Sequence, residues 1–418
     1  MPAVLSLAAS ASPLELTYAP GIDDPHVGMN VWRVYDGGDL VEQVNRMHAA
    51  GYRQVNLIPR AHADGRWSDD VGGFVVTGLP TLNDPANTNV GFDDAELRAA
   101  IARGKALGMH VSVTPHLTTP GNAVGRDRMQ LNVAGATDRA GFFNAYGDLL
   151  EGWATIAQQE GADRFNVGSE LTGLAGDARN ADGWGEVIDR VDAAFDGRIG
   201  YQELQFAFDN EAVRAIWSRD AIDYVSISGY LEVEQRGPSY DPPAEVYEIQ
   251  QPDDVAFAQL IADFVGHPDA DLGAMQATAR AIGKPLILEE LGTTAVNGAS
   301  GQPYRWDLTG ASDPAEMLLW YQGVLSVFDG RYGTGAGEIE RVNLWTWAWE
   351  GGYVGEPFDL GPNLPEGHAN ALASDFLSSY VSQAVTVPEP VGATAALVLP
   401  GLLLRRRRPG GERVAAVA

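Results

Sequence analysis

The chain has 418 residues, 45% of them hydrophobic, no cysteine and a formal net charge of −28, enough for a real core in one large domain or in two or three ordinary ones. The lack of cysteine excludes disulfides, thiolate metal sites and thiol nucleophiles. The charge argues against nucleic acid or anionic lipid as a partner, because such a surface repels polyanions, whereas a neutral polymer such as a polysaccharide meets no such penalty.

Residues 1–12 form a short apolar stretch of small residues with an Ala9-Ser10-Ala11 step and no basic region. It reads either as a weak or truncated signal peptide or as a frayed terminus. Residues 22–383 then alternate in a βα rhythm without a linker-like break, which predicts one α/β domain. Val27 to Val31 is expected as the first strand, Leu40 to Ala50 as a helix closed by Gly51, and Gln54 to Pro59 as strand two. A Gly-, Asp-, Asn- and Pro-rich segment over 60–92 is expected to be a loop on the active face. Asp94 to Leu107, ended by Gly108, is a helix, and His110 to Pro115 strand three. Gly141 to Gln159 is helical, Arg164 to Gly168 strand four, Gly185 to Phe195 helical and Arg198 to Gln202 strand five. Ile222 to Ser228, Pro285 to Glu289 and Arg341 to Trp347 complete eight strands. Eight strands with intervening helices point to a (β/α)8 TIM barrel, whose chemistry sits at the strand C-terminal ends.

Two of these strands run into carboxylates, Phe165-Asn-Val-Gly-Ser-Glu170 and Pro285-Leu-Ile-Leu-Glu289-Glu290. A glycosidic bond needs a proton for its leaving oxygen and an anion beside its oxocarbenium-like centre, so two acids delivered to one barrel mouth fit that chemistry. Neighbouring strand residues point to opposite faces, which leaves Glu289 and Glu290 as competitors. Glu350, just past strand eight, is a weaker third carboxylate. No cofactor is expected. The seven histidines are scattered without a His-Glu-x-x-His pattern, Asp69-Asp70 alone makes no calcium loop, and no glycine-rich stretch carries a nucleotide fingerprint.

Phe143-Asn-Ala-Tyr146, Trp153-Ala-Thr-Ile-Ala157 and Gly161 to Leu171, followed by Ile222 to Tyr230, Lys284-Pro285 to Gly292 and the tryptophan-rich Leu344 to Trp349, together with Thr114-Pro115-His116, resemble glycoside hydrolase family 113. The matched segments span roughly 25 to 350. The resemblance implies a retaining β-mannanase of clan A with Glu170 as acid/base and Glu290 rather than Glu289 as nucleophile. His116 is then expected to contact a sugar hydroxyl, to orient Glu170, or simply to cap a loop. Tyr230 is expected to donate to the nucleophile or to pack. Trp345, Trp347 and Trp349 share one strand face, with Trp347 favoured as the sugar platform. Trp32, Arg60, His62 and Trp67 lie at or beyond the ends of strands one and two, where they line subsites or pack. The chain departs from the clan pattern at Ser169, where Asn is common, at Tyr201-Gln-Glu-Leu-Gln205, and at Ser228-Gly229, where an acid or amide often stands. A β-glucanase-type hydrolase and a non-catalytic carbohydrate-binding barrel remain the alternatives.

Residues 387–418 carry Val387-Pro-Glu-Pro390, a short apolar run from Val391 to Leu404 and the Arg405 to Arg408 cluster. The apolar run is short for a membrane span, and the arginines suit its cytoplasmic side. This tripartite end resembles the PEP-CTERM sorting signal. It implies export, an exosortase-type processing partner and transient membrane contact through the tail.

Overall fold

The computed structural model describes residues 26–32, 39–63, 65–68, 73–76, 93–118, 128–133, 135–232, 271–305, 310–347 and 368–383, with a few isolated positions between them. The 1–12 segment, the Asp69-Asp70 pair, Trp349, Glu350, the Trp67 side chain and the 387–418 tail lie outside the described residues. Among the described residues no helix is long and apolar enough to cross a membrane.

Eight parallel strands close into a barrel: β1 (Val27–Val31), β2 (Gln54–Leu57), β3 (His110–Val113), β4 (Arg164–Ser169), β5 (Arg198–Leu204), β6 (Tyr224–Ser228), β7 (Leu286–Leu291) and β8 (Ile339–Leu344). Each pairs with its neighbours in sequence order, and β8 returns to β1. The helices around them are α1 (Leu40–Ala49), α2 (Asp94–Ala106), α3 (Ala136–Glu160), α4 (Ala181–Ala194), α5 (Glu211–Trp217), α6 (Asp271–Ile282), α7 (Pro314–Phe328) and α8 (Ala371–Gln383). The expected TIM barrel is therefore the observed fold.

Local chemistry sets the helix limits. Asp93 and Glu96 form a reciprocal capping box at the start of α2, at 2.8 Å in each direction. Gly161 stops α3 in the left-handed region at φ 79°. Asp313 caps α7 and Pro314 occupies its first turn, where no N–H is needed. Nothing in the apolar pattern announced α7 as amphipathic, because Met317, Leu319, Trp320, Tyr321, Val324, Leu325 and Phe328 are all buried and surround the helix.

The strands alternate in an unusual sense for a barrel. Met29, Leu57, Val113, Phe165, Ile227, Leu288 and Val342 belong to the continuous apolar core, while Asn30, Asn56, Asn166, Gln202, Ser228, Glu289 and Asn343 are buried polar residues. The polar set is linked by side-chain hydrogen bonds across the barrel: Asn56 Nδ2 to Asn30 Oδ1 (2.7 Å), Thr114 Oγ1 to Asn56 Oδ1 (2.9 Å) and Asn166 Nδ2 to Thr114 Oγ1 (2.8 Å). The apolar faces thus serve the helix layer and the polar faces fill the interior, where each buried group needs its partner. Gly200 makes room for this filling, since a Cβ there would overlap the Tyr224 ring and the Asn166 side chain.

Three expectations need correction. The 60–92 segment is not all loop: Arg60–His62 pairs in parallel with His116–Thr118, and Gly65–Ser68 and Gly73–Val76 form an antiparallel pair joined by Leu131–Asn132. Strand eight ends at Leu344, before the aromatic run. Beyond it Trp345 N still donates to the Leu291 carbonyl of β7 and Trp347 N to the Asn30 carbonyl of β1, while Thr346 between them exchanges hydrogen bonds with Phe358 and Leu360. Strand seven extends to Leu291 and carries an irregularity at the carboxylates, where its register slips by one residue against both β6 and β8.

Candidate active site

The extra residue in β7 gives the adjacent carboxylates different surroundings in a way simple alternation does not allow. A bulge lets two consecutive side chains turn toward the same region. Glu289 enters the barrel interior, accepting from Asn166 Nδ2 (2.8 Å) and from Asn343 Nδ2, and its own carbonyl accepts from Asn30 Nδ2. Burial raises its pKa above the ordinary carboxylate value. Glu290, one residue later, joins side chains from the ends of β5 and β6: Gln202 Nε2 donates to Oε1 and the Tyr230 hydroxyl to Oε2, each at 2.8 Å.

Glu170 follows β4 directly. It is the single non-glycine residue with positive φ (54°) among the described residues, a conformation that costs about 1 kcal/mol or more and is kept where the surroundings enforce it. Its backbone N–H donates to the Gln202 carbonyl (2.9 Å), which ties the turn to β5. The side chain accepts from the Ser228 hydroxyl at 2.6 Å and pairs with Arg128 at 2.5 Å.

Gln202 and Ser228 join the two acids. Gln202 Nε2 donates to both Ser228 Oγ and Glu290 Oε1, and Ser228 in turn donates to Glu170. Two departures from the clan pattern are thus the bridge between the carboxyls. Burial first, and the Glu170 charge second, push Glu290 up to about 8, opposed by Arg128 and by the Tyr230 and Gln202 hydrogen bonds. Near neutrality such a pair holds one proton between its members.

His116 lies beside Glu290, with Nε2 3.5 Å from Oε1, and not beside Glu170. Burial, with the Arg128 and Arg60 charges, holds its pKa well below the ordinary value, so the imidazole is neutral. Its ring is parallel to the half-buried Trp345 at 6.0 Å, and Trp345 meets Trp32 at 5.6 Å. The Arg60 guanidinium sits 3.9 Å above the Trp32 ring. His62 contacts the Thr118 hydroxyl at 2.6 Å.

Trp347 is not a platform. It is 2% exposed, its indole donates to Gln43 Oε1 (2.7 Å) and its ring meets Tyr52 edge-on. Of the two tryptophans of this run among the described residues, Trp345 is the one that stacks on His116, the neighbour of Glu290. Sequence reasoning did not find Arg128. It comes from a short 3-10 turn, Arg128–Gln130, inside a long connection with no periodic signal. Among the described residues no three His, Asp or Glu side chains gather as a metal ion would require.

The family model of Glycoside Hydrolase Family 113 matches residues 84–352. Among solved structures, a family 113 β-1,4-mannanase in a complex superposes with TM-score 0.60 at 19% identity, over 86% of this chain and 97% of that one. The family 113 β-mannanase from Alicyclobacillus acidocaldarius with ManMIm gives TM-score 0.58 at 18% identity, over 85% and 96%. The endo-β-1,4-mannanase from Thermotoga petrophila gives 0.51 at 12% identity, over 88% and 79%. No curated protein matches the chain. At these identities the structures speak for the fold, and the family match carries the assignment: the chain belongs to glycoside hydrolase family 113 and is a glycoside hydrolase.

Proposed function

We propose that the protein is a retaining endo-β-1,4-mannanase, with Glu170 as acid/base and Glu290 as nucleophile. The observation that carries this reading is the pair of buried carboxyls, delivered by β4 and β7 and joined through Ser228 and Gln202. In the first step Glu170 gives its proton to the glycosidic oxygen, the bond from that oxygen to C1 breaks, and a Glu290 oxygen bonds to C1. In the second, water attacks C1, Glu170 takes its proton, and the Glu290–C1 bond breaks. Tyr230 and Gln202 stay with Glu290 as neutral donors that favour its ionised form. Arg128 favours the opposite proton placement in the free enzyme, so productive binding has to part it from Glu170. Trp345 supplies an indole face to a pyranose and His116 a neutral ring nitrogen to a sugar hydroxyl.

The similarity to β-mannanases supports mannan as the substrate. Reducing-sugar release from a panel of mannans, glucans and xylans tests it, with Glu170→Gln and Glu290→Gln as controls. Release from mannan, lost in both variants, is the expected result. Binding without release from any polymer would overturn it. Proton NMR of the first-formed anomer tests retention. The C-terminal tail supports export to the cell surface or medium after exosortase-type processing, and the mass of the secreted protein would show whether residues 391–418 are removed.

A further inference from the structure

Glu203 is a buried carboxyl for which the proposed reaction has no use. It is fully buried near the C-terminal end of β5, one residue after Gln202 and on the opposite side of the strand. Its partners are three neutral donors: the Thr172 hydroxyl at 2.5 Å and Leu204 N at 2.8 Å on Oε1, and the Tyr201 hydroxyl at 2.9 Å on Oε2. Burying a carboxyl with such company is costly, and burial pushes it up to about 7.

The position of Thr172 explains what this arrangement holds. It lies two residues beyond Glu170, at the start of the short helix Thr172–Ala175, and Leu171 between them has φ −91° and ψ 46°. The turn is therefore gripped at both ends from β5: Glu170 N by the Gln202 carbonyl, and Thr172 by the Glu203 carboxyl. Glu203 itself is fixed from behind. Tyr201 packs edge-on against Trp184 at 5.2 Å, and its carbonyl accepts from Trp217 Nε1 at 2.8 Å.

We infer that Glu203 is the positioning residue for the acid/base: by anchoring Thr172 it holds the left-handed turn that aims Glu170 at the leaving oxygen. This rests on the reading of Glu170 as acid/base. Removing the anchor misplaces the proton donor while leaving Glu290 on its own strand with Tyr230 and Gln202.

The test compares kcat/KM, which reports only glycosylation, for two aryl β-mannobiosides. One has a leaving group that needs protonation (phenol or 4-methoxyphenol) and the other one that does not (2,4-dinitrophenol). Thr172→Val, which removes one hydroxyl at constant shape, and Glu203→Ala should lose about 10- to 100-fold on the first substrate and less than about 3-fold on the second. Glu203→Gln keeps an acceptor for Thr172 and should recover most of the loss. Equal losses on both substrates in Thr172→Val, or no loss on either, would overturn the inference. Circular dichroism melts identify any variant that fails to fold, and Thr172→Val carries the test if Glu203→Ala does. Failure of the underlying reading shows separately, as a Glu170→Ala enzyme that releases the phenol as fast as wild type.

Discussion

Glu290→Gln should abolish hydrolysis and, at alkaline pH, stabilise the fold. The unfolded carboxyl titrates near 4.5 and the folded one near 8, so between these values the folded state binds more protons and stability falls as pH rises. At about 1.4 kcal/mol per unit, the ceiling on this loss is about 5 kcal/mol, reached above pH 8. Glutamine has no charge to bury, but it disturbs one donor–acceptor match with Tyr230 or Gln202, at a cost of about 1 kcal/mol. The variant should therefore match or fall about 1 kcal/mol below wild type at pH 4, and exceed it by about 2–4 kcal/mol at pH 9. Urea unfolding followed by tryptophan fluorescence at pH 4, 6, 7.5 and 9 measures the difference. A gap between variant and wild type that does not change with pH would refute the burial argument, and a gap that grows toward acid would reverse its sign.

Arg128→Gln removes the cation that pairs with Glu170 and opposes the rise in the Glu290 pKa. The acidic limb of the kcat/KM profile, set by Glu290, should move to higher pH by up to about one unit, and a shift toward acid would contradict the role given to this cation. Tyr230→Phe removes a donor from Glu290; its acidic limb should rise and kcat/KM fall about 10-fold or more, while an unchanged profile would mean that the phenol only packs. Gly200→Ala forces a methyl into Tyr224 and Asn166 and should destabilise by about 1–3 kcal/mol in the same urea assay, so a neutral result would show that the interior yields.

Much of the frame was open to inspection in the chain. The period-2 strands at 27–31, 54–57, 110–113 and 164–168, the Asp93 cap and the glycine stops at 51, 108 and 161 are local signals, each set by the backbone preferences of a few adjacent residues. The helix over 314–328 was less legible, because burial on nearly all sides erases the amphipathic pattern that marks a surface helix.

The carboxylates show the same division. Their presence at two strand ends was read from the sequence, and with it the barrel that brings those ends to one mouth. Which side Glu289 and Glu290 face was not, since a bulge is a property of strand pairing: the slip exists only against β6 and β8. The tryptophans followed the same rule, with Trp347 held in the core by the Asn30 carbonyl and the Gln43 side chain, both at least 304 residues away along the chain. The Arg128 pair, the Gln202–Ser228 bridge and the Glu203 anchor join residues 26 to 88 positions apart. Sequence by itself determined the family and the order of the eight barrel strands, and placed acids at two strand ends, because those depend on short-range pattern. Only tertiary structure decided what surrounds each acid, because hydrogen bonds and charge act through space and not along the chain.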